Sequence, residues 1–300
     1  MCASYNPSKT YPIDYSRPGV VIIFNNETFT KHPKRKGSEK DVSSLLDLFV
    51  RLNYDVLTYK NKNAADMRRA IRDYATKDYL SSVGCLLVFI MSHGNNGTII
   101  SQDSLEIDLD EFMNPLKTNK SLIGKPKLFF IQACRGGNLM SGIQTDDPFE
   151  LLRKYHDNNS TLPVGADFLI SFATVEGYMS LRDLTEGTWY IQMLCKAIER
   201  DERGQDISQV LRCTNRLISE MVAKICKCKI GECKCESECK SENGQTKCKC
   251  KQGECECRID VKMLSIYEDT LSKSFYFSEP ESKNLVKKNY FIFLLFYILN

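Results

Sequence analysis

Continuous apolar runs alternate with stretches of mixed polarity along the chain. Val20–Asn26 (VVIIFNN), Tyr54–Tyr59, Cys85–Met91 (CLLVFIM), Lys127–Gln132 and Asp167–Phe172 are short, rich in β-branched or aromatic residues, and bounded by polar segments. Runs of this kind predict strands buried on both faces. Ser274–Phe277 reads as a last short strand. Between the runs, helices are predicted over Ser38–Asn53, Ala64–Tyr79, Thr188–Arg200 and Ile207–Ile225. In the first, Ser38 is suited to cap the helix, and Val42, Leu45, Leu46, Phe49 and Val50 form one stripe. Asn96-Gly97 between strand-like flanks signals a hairpin. The alternation argues an α/β fold with a mostly parallel central sheet flanked by helices. Such sheets bind ligands beyond the carboxyl ends of their strands, and both His93 and Cys134 follow such ends.

Composition narrows the class. Lys plus Arg is 41 and Asp plus Glu is 38 in 300 residues, a net charge of +3, so electrostatics give no reason to expect a nucleic-acid partner. No run reaches the roughly 18 apolar residues of a membrane span. The nearest, Tyr290–Leu299, is short for a span; it reads more as a docked strand or a misplaced reading-frame end than as a weak tail anchor, and membrane contact by the tail is not expected. Of 14 cysteines, nine fall between Cys226 and Cys257. Disulfide-framed secreted proteins spread their cysteines more evenly, and Met1–Gly19 lacks an apolar signal core, so a reducing, cytoplasmic compartment is expected.

Nucleophilic hydrolysis of an amide needs a thiolate, an imidazole to protonate the leaving amine, and donors for the oxyanion. Cys134 and His93 stand at neighbouring strand ends, and Gly94 lets a backbone N–H approach a carbonyl closely. Taken alone, the same residues also fit a buried core thiol and a loop histidine.

The sequence around them resembles the caspase family. Gln132-Ala133-Cys134-Arg135-Gly136 matches the family's nucleophile motif. MSHG at 91–94, KPKLFFIQACRGG at 125–137, LPVGADFLISFATVEGYMSLR at 162–182 and GTWYIQ at 187–192 follow in family order. The resemblance runs from about Gly19 to Phe277 and implies a three-layer caspase-like fold with a central sheet of about six strands. It further implies Cys134 as nucleophile, His93 as general acid/base, and the N–H groups of Gly94 and Cys134 as oxyanion donors. The carbonyl of Pro33 would orient His93. Cleavage after aspartate is implied, with Arg35, Gln132 and Arg182 holding the substrate carboxylate, since paired guanidinium groups are suited to one. Ser180, Leu181 and Trp189 would line the neighbouring subsites. Met179 and Leu181 stand where many relatives carry aromatics, and Asp183 would disfavour an acidic residue four positions before the cut.

Organisation follows from the same resemblance: a short propeptide (1–18, of no fixed structure), a large subunit (19–146), a linker (147–157), a small subunit (158–225 and 258–289), a Cys-rich insert (226–257) and an apolar tail (290–300). Gly136–Pro163 reads as exposed linker, and Asp146 and Asp157 are candidate processing sites for an upstream protease, with activating cleavage falling within 137–161. A zymogen of executioner type, a homodimer of large/small subunit pairs and protein substrates are expected, with no cofactor required and apoptosis as the family role. The insert repeats itself, CKCKIGECKC at 226–235 returning as CKCKQGECEC at 248–257. Cys226, Cys228, Cys233, Cys235, Cys239, Cys248, Cys250, Cys255 and Cys257 suit a Zn or Cu(I) thiolate cluster, a disulfide loop, or a solvated low-complexity segment. The alternatives to an active protease are an inactive caspase homologue serving as a scaffold and a metal-binding protein on a caspase frame.

Overall fold

The computed structural model describes residues 9–76, 78–141, 166–200, 204–226, 239–242, 245–248 and 258–280. The strands in chain order are β1 (Gly19–Asn25), β2 (Asp55–Lys60), β3 (Cys85–Met91), β4 (Gly94–Asn95), β5 (Thr98–Ile100), β6 (Glu106–Asp108), β7 (Lys127–Gln132) and β8 (Met140–Ser141). They continue as β9 (Phe168–Phe172), β10 (Arg182–Asp183), β11 (Gly187–Thr188), β12 (Ala223–Cys226), β13 (Cys239–Glu242), β14 (Gln245–Cys248), β15 (Arg258–Lys262) and β16 (Ile266–Asp269). The helices are α1 (Ser38–Arg51), α2 (Ala64–Thr76), α3 (Leu109–Lys117), α4 (Trp189–Glu199) and α5 (Ile207–Glu220).

The central sheet has six strands in the order β16-β9-β7-β3-β1-β2. All neighbours pair in parallel except β16 with β9. The apolar runs fill its middle, where β1, β3, β7 and β9 are buried along their whole length. Side chains alternate between the two faces. Val21 and Ile23 join Leu45, Phe49, Tyr190 and Leu194 beneath α1, α4 and α5, whereas Val20, Ile22 and Phe24 meet Met67, Ile71 and Phe112 of α2 and α3. The expected α/β sandwich with about six strands is therefore present.

Several local expectations needed correction. Gly37, at φ 86, occupies the N-cap of α1 with no side-chain cap, and the Ser38 hydroxyl instead accepts from Asn25 Nδ2 at 3.3 Å. The buried stripe of α1 is Asp41, Leu45, Leu48 and Phe49, and Val50 is exposed. α5 stops at Glu220 because the chain leaves it as strand β12. Ser274–Phe277 is not a strand: Ser274 bridges Thr10, and Phe275 and Phe277 plug the core. The edge of the sheet is β16 instead. Residues 9–18 are packed rather than loose, with the buried Tyr11 hydroxyl donating to Asp167 Oδ1 at 2.6 Å. Burial, and then that contact, push the Tyr11 phenol up to about 12.

The start of the anticipated linker is likewise built into the fold. Arg135 N–H donates to the Tyr178 carbonyl at 3.0 Å and Asn138 N–H to Gly177 at 3.0 Å. β8 pairs with β15, which in turn pairs with β12. Asp146, Asp157, Tyr290–Leu299 and most of the Cys-rich insert lie outside the described residues. Of the insert, β13 and β14 form an antiparallel pair with Cys239 and Cys248 as register partners. Among the described residues no helix is long and apolar enough to cross a membrane.

Phe89 lies at the centre of the core, stacked on Phe130 with centroids 4.6 Å apart and tilted against Phe49 at 5.5 Å. Phe89→Ala is expected to destabilise the fold by about 3–5 kcal/mol, measured by denaturant unfolding in a Cys134→Ala background. A loss below about 1 kcal/mol would show that the layer is not packed around this ring.

Candidate active site

Two adjacent strands bring the first pair of residues together. β3 and β7 pair in parallel with Met91 opposite Gln132, so His93 and Cys134 each stand two residues beyond the same rung. The chain ends are tied at that level, where Ser92 N–H donates to the Gln132 carbonyl at 3.1 Å. Gly94 follows directly and has no room for a side chain. A Cβ there would lie 2.6 Å from the Thr98 carbonyl oxygen, 2.9 Å from Ala133 Cβ and 3.2 Å from the Cys134 carbonyl oxygen. His93 and Cys134 are both partly buried.

His93 is oriented from the loop after β1. Its Nε2 lies 2.8 Å from the Pro33 carbonyl oxygen, an acceptor only, so Nε2 carries the hydrogen and donates. Nδ1 is then the lone-pair nitrogen of the neutral ring. The imidazole packs on Phe29, with centroids 4.7 Å apart, and on His32 at 5.7 Å. Burial lowers the His93 pKa; the Pro33 carbonyl opposes this, and the charges of Arg35, His32 and Arg182 lower it further.

Arg35 is the largest fully enclosed side chain, at 2% exposure. Its Nη1 donates to Asn25 Oδ1 at 3.2 Å and to the Asn26 carbonyl at 2.9 Å, while its Nη2 is buried without a hydrogen-bond partner. Burial, reinforced by the charge of Arg182, pulls the guanidinium down to about 10; Asp41, Cys134 and Glu27 oppose the shift. Arg182 arrives from the other half of the chain, on the β10–β11 hairpin, and its Nε is also buried and unpartnered. Burial lowers its pKa too, opposed by Asp41 and Cys134. Two cations that interact with each other and with Cys134 thus retain unused donors.

Gln132 completes the cluster. Its side-chain nitrogen meets the Ser180 hydroxyl, and its Oε1 is buried and unpartnered. The opposite amide orientation makes Ser180 the donor to Oε1 and leaves Nε2 as a free donor. The remaining anticipated subsite residues behave differently. Leu181 and Trp189 pack into the core at 8% and 7% exposure, and Leu181 N–H donates to the Met263 sulfur at 3.2 Å. Met179 is exposed. The carboxylate of Asp183 closes its own turn, accepting from Thr185 and Glu186 N–H at 2.7 and 3.0 Å. Those bonds and the Thr185 hydroxyl hold its pKa low, so the turn carries a firm negative charge.

Sequence reading missed the residues that support this region: Asn25 and Asn26 at the end of β1, which accept from Arg35, Asp41 on α1, which accepts from the Thr188 N–H opposite Arg182, and Met263 after β15, whose sulfur accepts from the Leu181 N–H. Asp41 had a signal, a carboxylate one turn before Leu45 on the buried stripe.

The caspase-domain family model matches residues 18–253. The chain is 32% identical over 236 residues to Caspase-6 of Mus musculus, covering 74% of this chain and 85% of that protein. It is 34% identical over 220 residues to Caspase-7 of Gallus gallus, 71% of each. The crystal structure of Caspase-1 from Spodoptera frugiperda aligns with a TM-score of 0.71 at 25% identity, covering 93% of this chain and 98% of that one.

The four described free cysteines outside the insert differ sharply in setting. Cys85 and Cys195 are buried, and burial pushes the Cys85 thiol up to about 12 and the Cys195 thiol higher still. Cys134 is partly open. Brief iodoacetamide treatment of the folded protein at neutral pH should therefore label Cys134 well before Cys85 or Cys195, read by peptide mass mapping. Equal labelling of the three would contradict the arrangement.

Proposed function

Because the chain belongs to the caspase family, we propose that it is a cysteine endopeptidase that cuts proteins after aspartate. The observation that carries the specificity is the pairing of the fully buried guanidinium of Arg35 with the partly buried one of Arg182, like charges that each keep an unused buried donor and interact with Cys134. Burying two like charges is costly, and a substrate carboxylate supplies both the missing charge and the missing acceptors.

In this reading His93 Nδ1 takes the proton of the Cys134 thiol, and the resulting thiolate attacks the carbonyl carbon of the aspartyl residue. The N–H groups of Gly94 and Cys134 stabilise the oxyanion, and His93, held by Pro33, gives its proton to the leaving amine as the C–N bond breaks. Water then attacks the acyl-enzyme, His93 takes its proton, and the thiolate is released with the new carboxylate. Gln132 and Ser180 form the floor of the aspartate pocket. The Asp183 charge favours an aliphatic or small residue four positions before the cut.

We propose also that the chain is a zymogen cut at Asp146 or Asp157, acting in apoptosis-type proteolysis as a dimer of large/small subunit pairs. In support, Cys134 and Arg182 lie on opposite sides of the segment holding both aspartates, so one site needs both fragments. The sheet edge β16 offers a strand for pairing with a second copy.

Arg182→Glu puts a like charge against the substrate carboxylate and leaves Arg35 partly compensated. It is expected to lower kcat/KM on Asp peptides by at least about 10²-fold while the circular dichroism spectrum stays that of the wild type. Retained cleavage after Asp would remove Arg182 from the pocket.

A further inference from the structure

Asp41 is a buried carboxylate that the chemistry above leaves unused. It lies in the first turn of α1, six residues after Arg35, at zero exposure. Its Oδ1 accepts from the Thr188 backbone N–H at 2.9 Å and from Gln192 Nε2 at 2.9 Å. The Ser44 hydroxyl holds Gln192 in turn, donating to its Oε1 at 3.3 Å. Thr188 is the register partner of Arg182, so Asp41 grips the rung of the hairpin that carries the second arginine.

Two glycines allow the close approach. Gly187, at φ 96, lies so near that a Cβ would be 2.4 Å from Asp41 Oδ1. Gly37, one turn earlier, packs on the same hairpin, where a Cβ would be 2.7 Å from the Leu184 carbonyl oxygen. The start of α1, just after Arg35, is therefore docked on the Arg182 hairpin with a buried negative charge between them. The second carboxylate oxygen, Oδ2, is buried and has no hydrogen-bond partner. Burial pushes the Asp41 pKa up, and Gln192, Thr188 and the charge of Arg35 oppose it; reciprocally, Asp41 sustains the charge of both arginines.

We infer that Asp41 is a positioning residue for the aspartate pocket, its buried charge shared by Arg35 and Arg182 so that the hairpin stays closed on Arg35 before a substrate carboxylate arrives. The inference rests on the assignment of those arginines to the pocket. Without the shared charge, the two guanidinium groups lose the strongest of the charges that offset their repulsion in the free enzyme. Arg182, the more exposed of the two, then turns toward water, and each substrate must draw it back. Once substrate is bound, its own carboxylate restores the balance, so the chemical step is spared.

The test is Asp41→Asn in the full chain processed after Asp146, assayed on an Asp-terminated fluorogenic peptide with active sites titrated. Asn keeps the shape and the acceptor for Thr188 and Gln192 but removes the charge. KM is expected to rise at least fivefold with kcat per active site within twofold of wild type. A purely structural role would reduce the number of active sites and leave KM unchanged. An unchanged or lower KM, or a fall in kcat at constant KM, overturns the inference. Should the Asn variant not fold, Gln192→Met, which loosens the carboxylate without removing it, is expected to raise KM two- to threefold; an unchanged KM counts against the role. A wild type that fails to cut after Asp defeats the pocket assignment itself, whereas an active wild type beside an Asn variant of equal KM defeats only the role of Asp41.

Discussion

The parallel register of β3 with β7 is the constraint on which the site depends. Met91 faces Gln132 across the ladder, and every other feature follows from that rung. Two residues on, one strand delivers the imidazole and the other the thiol; one further, Gly94 lies against the Cys134 carbonyl. A slip of one residue would displace one strand end by about 3.3 Å and reverse the faces of its side chains. The apolar content of both strands guards against such a slip, since every residue of each is buried and would have to exchange one packed layer for the other.

Around that rigid pair the protein gathers charge that costs free energy to bury. Arg35 is enclosed at the end of β1, Arg182 enters on a short hairpin, and Asp41 stands between their supports. The unused donors on both arginines mark where the resting site is incomplete, and in the proposed function a substrate carboxylate completes it. Core stability and substrate recognition are thus supplied by different parts of the molecule: the central strands hold the frame, and the loops beyond their carboxyl ends hold the charges.

Most of the frame was legible in the sequence because its signals are local. Continuous β-branched runs located β1, β3, β7 and β9 within about a residue, and Asn96-Gly97 located the β4–β5 hairpin. Helix α3 escaped because Pro115 interrupts its short pattern, and β16 because its partly buried residues carry no strong period. The apolar residues near Phe275 read as a strand, yet their burial comes from plugging the core rather than from a ladder. The histidine, cysteine and two arginines were recognisable through the family motifs, but their mutual geometry was not, since Arg35 and Arg182 meet only through contacts between distant segments. Asn25, Asn26 and Asp41 left fainter traces, as polar residues at strand ends or on apolar stripes.

Cleavage after aspartate is tested most directly by hydrolysis of a peptide series differing only in the residue before the scissile bond: Asp, Asn, Glu and Lys. The chain would be assayed intact and cut after Asp146, with Cys134→Ala as control. The predicted result is hydrolysis of the Asp peptide alone, higher after cutting and absent in the control. Hydrolysis indifferent to that residue, or activity surviving the loss of Cys134, would contradict it.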